Sequence, residues 1–315
     1  MGKKILQNSL LMTFGLLISL ALGEAILRVV DPYPVHSATL KDASETSYET
    51  QINSLGLRDK EYILEHDTYR ILALGDSFTY GLALKNASSW PKLLERELRS
   101  SGHSKVEVLN GGRPGTDTKW QLQYYEEYGH QYNPDLVLVG FLINDCTGQC
   151  SNCGAIKLKE KFEAQLQRTS DGFHSEILRV IHLTKLKREM EQETLMHYMR
   201  PYLNHSQRYQ ACTEAFRKLK HTVEQNGSQL IVFIYPMLYG LNDQFPFTPI
   251  HDRMLAFFGK ENISAFDITS AFFGEKDTEL WLHAGDSHPN KKANTIAAKR
   301  IANEISLLAD LPKRQ

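Results

Sequence analysis

The sequence has little of what marks a nucleic-acid-binding or nucleotide-using protein. Its 315 residues carry 36 Lys and Arg against 37 Asp and Glu, for a net charge of −1, and the charges form no long run of one sign. A chain without a basic patch has no electrostatic footprint for nucleic acid. It also lacks a Gly-x-x-x-x-Gly-Lys phosphate loop and a clear carboxylate cluster for a metal. We therefore expect no nucleic-acid partner, no cofactor and no bound metal.

Long hydrophobic runs are scarce too, apart from one near the N-terminus. Two lysines precede an apolar run at 10–22, an order typical of export signals. The run is shorter than the ~20 residues of a spanning helix, and extending it brings Glu24 near the membrane edge. Small residues just after the run fit a signal-peptidase site. Residues 1–30 are predicted to be a retained membrane anchor or a cleaved signal peptide, with a buried amphipathic helix as the remaining alternative. Either of the first two places the folded domain outside the cytoplasm, in the periplasm or the extracellular space.

Cysteine is also rare. The chain has four, three of them clustered and one far downstream: Cys146, Cys150, Cys153 and Cys212. An even number in an exported chain predicts two disulfides, because oxidising compartments trap thiols in that form. A structural zinc site with four thiolate ligands is the alternative, since close cysteine pairs with a distant partner resemble zinc spacing.

Strand and helix signals alternate through most of the remaining chain. Short apolar runs predict strands at 71–74, 106–109, 136–143, 230–235 and 265–267, and helical spacing occurs at 90–100, 118–129, 207–225 and 291–308. This alternation predicts an α/β fold with a mostly parallel five-stranded sheet and helices on both faces.

Two segments stand outside this alternation and set the predicted domain organisation. Residues 31–67 are polar and proline-bearing, which is typical of a stalk, although 53–59 looks more ordered than a linker. The domain itself is predicted over 68–315. Within it, 146–206 is too long for an ordinary connection and contains two charged, helix-prone stretches, at 157–166 and 176–199. We expect a helical insertion there, either a solvated decoration or a lid over the site.

The first predicted strand ends at Gly75-Asp76-Ser77. In parallel α/β sheets the ligand crevice lies at the carboxyl ends of the strands, so Ser77 is a candidate nucleophile if a base and a carboxylate accompany it. His288 and Asp286, just before the last helix, supply that pair. His283 is the rival base, but it has no carboxylate two or three residues before it.

Two further strand ends offer donors for a developing oxyanion. Gly115 lies in the glycine-rich loop after the second strand, where a residue without a Cβ can bring its N–H close to a ligand. Asn144 follows the third strand and carries an amide. Together with the Ser77 N–H these make three candidate donors. Considered alone, Gly115 would be interpreted as a turn residue, and Asn144 as a cap or turn residue.

These blocks, in this order, resemble the four signature blocks of the SGNH (GDSL-type) hydrolases. The resemblance implies a flavodoxin-like three-layer α/β/α sandwich and ester hydrolysis or acyl transfer. It also implies that Ser77 is the nucleophile, His288 the base and Asp286 its orienting acid, with Ser77, Gly115 and Asn144 forming the oxyanion hole.

Two departures from the family pattern stand out. The acid is usually three residues before the histidine, where this chain has Gly285, and a glycine usually stands two before the asparagine, where this chain has Leu142. The N-terminus and the 53–59 stretch resemble an exported, membrane-anchored subgroup that serves envelope polysaccharides. The leading hypothesis is an extracytoplasmic serine esterase acting on short-chain acyl esters, with carbohydrate O-acetyl groups as a candidate substrate. An O-acyltransferase modifying an envelope polysaccharide and a non-catalytic glycan-binding factor are the alternatives.

Overall fold

The protein is described by a computed structural model that covers residues 2–30, 51–147, 160–161, 164–165, 168, 175–203, 206–283, 286–309 and 311. The chain forms two compact units. The helical unit comprises Met1–Thr39 and Ala155–Thr194, and the sheet unit comprises Leu40–Gly154 and Leu195–Gln315.

The sheet unit is built on five parallel strands. They are β1 (Tyr69–Gly75), β2 (Val106–Gly112), β3 (Leu136–Phe141), β4 (Gln229–Ile234) and β5 (Ser264–Asp267). Their order across the sheet is β2-β1-β3-β4-β5, and every neighbouring pair is parallel. This is the flavodoxin-like order, so the predicted fold class is confirmed.

The α-helices with defined bounds lie before, between and after these strands. In chain order they are α1 (Gly2–Val30), α2 (Ser77–Tyr80), α3 (Trp90–Ser100), α4 (Thr118–Glu127), α5 (Glu176–Met199), α6 (Gln207–Gln225), α7 (Thr248–Lys260), α8 (Asp277–Leu280) and α9 (Lys291–Leu308). A short antiparallel hairpin, β6 (Trp281–His283) and β7 (Asp286–Pro289), precedes α9.

The helices cover both faces of the sheet, as β3 demonstrates. Gly140 faces Phe233, which contacts Trp90 of α3 with ring centroids 4.9 Å apart. The next residue, Phe141, contacts Phe216 of α6 instead. Because successive strand residues point to opposite faces, α3 and α6 lie on opposite sides of the sheet. Strands covered on both faces must be apolar throughout, and all six residues of β3 are buried.

The predicted stalk does not hold for its second half. Leu57, Arg58 and Asp59 are 1%, 3% and 5% exposed, and the Arg58 guanidinium donates to the carbonyls of Tyr80 and Gly81 at 2.6 and 2.8 Å. Residues 51–67 are therefore part of the folded sheet unit. They are polar because their side chains make hydrogen bonds to buried backbone, and residues 31–50 lie outside the described ones.

The insertion is partly described. Helix α5 forms within the charged stretch that the sequence marks as helical, whereas most of the other predicted helical stretch, 157–166, lies outside the described residues.

A disulfide joins Cys146, just after β3, to Cys212 in α6, across a sequence separation of 66 residues. Both cysteines are buried. The bond consumes two of the four thiols that the alternative zinc site needs, so that alternative is wrong for this set. Cys150 and Cys153 lie outside the described residues, and the second predicted disulfide stays a prediction.

Removing this bond should destabilise the protein. Cross-linking a loop of this length stabilises by about 4 kcal/mol in the chain-entropy account. We expect Cys146→Ala/Cys212→Ala to unfold at a clearly lower urea concentration than the parent chain under oxidising conditions. Adding a reductant should lower the parent to the level of the variant. Equal urea midpoints without reductant would contradict the assigned pairing.

Candidate active site

The turn after β1 presents Ser77 at the first position of α2. Gly75 is required there, because a Cβ would lie 2.1 Å from the Thr79 hydroxyl. Asp76 caps the helix by accepting from the Phe78 N–H at 2.9 Å. Ser77 itself is 3% exposed. The strand thus ends in a fixed turn that holds the serine at the carboxyl edge of the sheet.

His288 and Asp286 meet Ser77 from the other end of the chain. The Nε2 atom of His288 is 2.9 Å from the Ser77 Oγ, and its Nδ1 is 2.5 Å from the Asp286 Oδ1. A carboxylate only accepts hydrogen bonds, so Nδ1 carries the hydrogen and Nε2 is free to accept from the hydroxyl. The three side chains form the hydroxyl–imidazole–carboxylate chain of a nucleophilic site.

The unusual spacing of Asp286 and His288 is explained by the hairpin. Both residues lie on β7, where side chains two apart project to the same face. The carboxylate also accepts from the His288 backbone N–H at 3.0 Å. An acid two residues before the histidine therefore reaches the imidazole from an extended strand.

The hairpin is held at both sides. The Trp281 indole of β6 donates to the Leu238 carbonyl at 2.5 Å. Asn290 donates to the Trp281 carbonyl at 2.9 Å and caps α9 by accepting from the Ala293 N–H at 3.1 Å. His288 therefore stands on a segment anchored to two different elements.

Asp286 is ionised in the folded protein. Partial burial would raise its pKa, but the hydrogen bonds and charge of His288 outweigh that effect and lower the pKa to about 2. A fixed negative charge beside Nδ1 stabilises the imidazolium that forms when Nε2 accepts a proton. His283 lies on β6 opposite Asp286, and the imidazole bonded to the Ser77 hydroxyl is that of His288.

Asn144 is held beside the serine turn by Asp76. Its Nδ2 donates to the Asp76 Oδ2 at 2.9 Å, which leaves the second amide hydrogen for another acceptor. Leu142 replaces the usual glycine without strain, because its φ of −115° and ψ of 149° are ordinary extended values. The sequence contained Asp76 in its motif, but only the structure shows that it orients Asn144.

Gly115 lies in an exposed loop joined to the same edge. Its φ is +74° and a Cβ there would meet nothing within 4 Å. Glycine is therefore favoured at this position by the left-handed backbone conformation, and not by a lack of space for a side chain. The neighbouring Arg113 N–H donates to the Gly75 carbonyl at 3.0 Å. Among the described residues no hydrogen bond joins Gly115 to Ser77 or Asn144, so the structure brings the loop to the edge without closing an oxyanion hole.

Two aromatic residues that the sequence left without a role border the site. The Phe78 ring lies 5.5 Å from the His288 ring and 5.2 Å from that of Tyr235, which follows β4. Tyr235 is 1% exposed. In the sequence, the only indication that Phe78 lines the site is its position directly after Ser77.

A pair of buried carboxylates lies behind Asn144. Burial raises the pKa of Asp76, against the hydrogen bonds of Asn144 and the Phe78 N–H. Burial, with the nearby charge of Asp76, raises the pKa of Asp145 well above its usual value. Asp145 accepts from the Leu142 N–H at 3.1 Å. Burial therefore disfavours the charged form of Asp145 more strongly than its hydrogen bond from the Leu142 N–H stabilises it.

Cavity size does not locate this site. A surface groove of about 760 Å³ between α6 and α7 contains none of the residues named above. Within the described ranges, no group of three or more His, Cys, Asp or Glu side chains is placed to hold a metal ion. The hydrogen-bonded chain at the strand ends is what identifies the site.

The model of the GDSL-like lipase/acylhydrolase family matches residues 71–301. The chain belongs to this family. The match includes every candidate catalytic and oxyanion residue, and it confirms the resemblance drawn from the four sequence blocks. The family's description is that of carboxylic ester hydrolases. Its membrane-anchored, exported subgroup stays a prediction.

Individual relatives are more distant. An arylesterase from Vibrio mimicus is 37% identical over 76 residues, which is 24% of this chain and 38% of that protein. The match thus spans well under half of the relative. Among solved structures, the lipase/acylhydrolase from Enterococcus faecalis is 14% identical with a TM-score of 0.47, over 78% of this chain and 100% of the other. The acetylxylan esterase Axe2 from Geobacillus stearothermophilus is 15% identical with a TM-score of 0.47, over 75% and 94% of the two chains.

The raised pKa of Asp145 predicts how stability depends on pH. The folded protein keeps a proton that the unfolded chain releases above about pH 4. The free energy of unfolding should therefore fall as pH rises from there towards the raised pKa. Asp145→Asn, which is neutral at every pH, should flatten this slope in urea unfolding measured across the range. The exposed Asp243→Asn is the control and should leave the slope unchanged; a slope in Asp145→Asn as steep as that of the parent would refute the assignment.

Proposed function

We propose that this family member is an extracytoplasmic, membrane-anchored serine esterase that hydrolyses short-chain acyl esters, with O-acetyl groups on a carbohydrate as its substrate class. The observation that carries the proposal is the bond of 2.9 Å between the Ser77 Oγ and the His288 Nε2. The imidazole is in turn held by Asp286 at 2.5 Å.

In the proposed first step, the Ser77 oxygen attacks the carbonyl carbon of the ester. Its proton passes to Nε2 of His288, and the resulting imidazolium is stabilised by the ionised Asp286. Nε2 then gives that proton to the alcohol oxygen as the carbon–oxygen bond breaks. An acyl group remains on Ser77 and the alcohol leaves.

The negative charge on the tetrahedral intermediate needs donors that are free before the reaction. The Ser77 N–H is one of the N-terminal N–H groups of α2 that have no intrahelical acceptor. The second hydrogen of the Asn144 amide and the N–H of Gly115 complete the proposed oxyanion hole. Each such donor contributes about 3 kcal/mol to transition-state stabilisation in well-studied hydrolases.

Water completes the proposed cycle. His288 removes a proton from a water molecule as its oxygen attacks the acyl carbon, and then returns the proton to the Ser77 oxygen as the acid departs. The enzyme is thereby regenerated. A sugar hydroxyl in place of water would make the same site an acyltransferase.

The surroundings of Ser77 support a small acyl group. The serine is nearly buried, and Phe78 lies against both His288 and Tyr235. These rings leave one wall of the site aromatic and close to the nucleophile. The carbohydrate part of the proposal rests on the resemblance to exported family members.

The N-terminus supports the proposed location. Within α1, the 24 residues of Gln7–Val30 have a mean hydropathy of 2.1 and are long and apolar enough to cross a membrane. Lysines at its N-terminal side favour an orientation with that end in the cytoplasm. The Cys146–Cys212 disulfide fits an oxidising compartment on the opposite side.

Ser77→Ala tests the nucleophile. We expect hydrolysis of an activated acetyl ester to fall by about 10⁴-fold or more, with circular dichroism and the urea midpoint unchanged. Ser287→Ala, at an exposed serine beside His288, is the matched control and should retain activity. Substantial hydrolysis by Ser77→Ala would exclude Ser77 as the nucleophile. Adding acetylated and free oligosaccharides to the parent enzyme separates the acceptors, because transfer would yield newly acetylated sugar instead of acetate.

A further inference from the structure

Within the helical unit, the carboxylate of Glu24 in α1 is hydrogen-bonded to the N-terminal end of α5. Glu24 accepts hydrogen bonds from the Glu176 N–H at 2.8 Å, the Ile177 N–H at 3.2 Å and the Ser175 hydroxyl at 2.9 Å. Arg28, one turn later on α1, donates to the same carboxylate at 3.0 Å. A carboxylate in an otherwise apolar helix is costly in a membrane unless it is paired. Here it is paired with the beginning of α5.

These bonds cap α5 from outside. The first N–H groups of a helix have no intrahelical acceptor and carry partial positive charge. Glu24 accepts hydrogen bonds from the N–H groups of Glu176 and Ile177. The N–H of Leu178 donates to the Ser175 hydroxyl at 3.5 Å. Gly23, next to Glu24, would place a Cβ only 3.7 Å from the Ile177 side chain. The end of α1 and the start of α5 therefore form one packed joint.

The depth of this joint follows from the length of α1. A helix rises 1.5 Å per residue, so about 20 residues cross a hydrocarbon core of ~30 Å. Counting that length from Ile5, just after the lysines, reaches Glu24. With the span counted from Ile5, the carboxylate of Glu24 reaches the outer boundary of the hydrocarbon, and Ser175–Ile177, which are hydrogen-bonded to it, reach the same depth.

The outward face of α5 changes character along its length. Leu178 and Ile181, one turn apart, are 56% and 60% exposed. The exposed residues that follow are charged: Lys185, Lys187, Arg188 and Glu189, with the Lys185 ammonium 3.8 Å from the Glu189 carboxylate. An exposed apolar turn followed by charged side chains is typical of a helix end whose apolar residues reach the hydrocarbon boundary while its charged residues stay in the headgroup region.

We propose that α1 is retained in the mature protein and that Glu24 fixes the start of α5 at the membrane surface, where Leu178 and Ile181 insert into the outer boundary of the bilayer. The partner of this surface is the lipid itself. The inference rests on the membrane anchoring proposed above, and it assigns a bilayer contact to the insertion.

The bilayer contact is tested by the quenching of tryptophan fluorescence by brominated lipids. The full chain is reconstituted into vesicles of phosphatidylcholine with a minority of phosphatidylglycerol. Leu178→Trp reports on the proposed contact and Leu307→Trp is the control, because Leu307 is a leucine on α9 that is even more exposed than Leu178, at 83% against 56%. The signal of the three native tryptophans is subtracted with the parent chain. Lipids brominated near the headgroup should quench Leu178→Trp at least about twofold more than Leu307→Trp.

The role of Glu24 is tested in the same background. Glu24→Ala should lower the quenching of Leu178→Trp towards the control value while α1 keeps the chain in the vesicles, and Glu24→Gln, which retains one acceptor oxygen, should lose less. Equal quenching of the two tryptophan probes, an unchanged signal in Glu24→Ala, or a mature N-terminus at or beyond Glu24 by mass spectrometry would each overturn the proposal. Hydrolysis of a small acetyl ester by the same vesicles is read separately, so its loss with intact quenching counts against the proposed function alone.

Discussion

The hydrogen bond between Ser77 and His288 joins residues 211 positions apart. The strands, turns and hairpin of the sheet unit hold these two side chains together. Parallel strands bring their carboxyl ends to one edge. The tight turn at Gly75 delivers the hydroxyl to that edge, and the β6–β7 hairpin delivers the imidazole. Neither residue could be held in place by local structure alone, because each needs a strand end or hairpin anchored to other elements.

Carboxylates in different surroundings do different work around this contact. Asp286 is partly exposed and bonded to an imidazole, so it stays ionised and supports positive charge on His288. Asp76 is buried and is used as an acceptor that orients Asn144. Asp145 is buried and accepts from the Leu142 N–H, and burial raises its pKa well above the usual value. The three aspartates therefore differ in role because they differ in burial and in the number of hydrogen bonds that their carboxylates accept.

Much of this could be predicted from the sequence, for physical reasons. Strands covered on both faces must be apolar, so β1 and β3 stand out, and the amphipathic helices α3, α6 and α9 begin and end where their spacing indicates. Helix α7 was missed even though its buried residues Ile250, Met254, Phe257 and Phe258 follow helical spacing. The β6–β7 hairpin is too short and too polar to produce an alternating pattern. The Asp286–His288 pair was predicted, but the hairpin that lets an acid two residues away reach the imidazole was not. The pairing of Asp76 with Asn144 joins two strand ends and was not visible in the sequence either. Cysteine pairing is equally non-local, since four cysteines allow three connectivities.

The central claim, that Ser77 is the reacting group at this edge of the sheet, is tested most directly by peptide mass mapping of the full chain after treatment with a fluorophosphonate. The account predicts a single phosphonyl adduct, on the peptide that contains Ser77, forming in step with the loss of ester hydrolysis. An adduct on another residue, or an unmodified Ser77 in a chain whose hydrolysis has been abolished by the reagent, would contradict it.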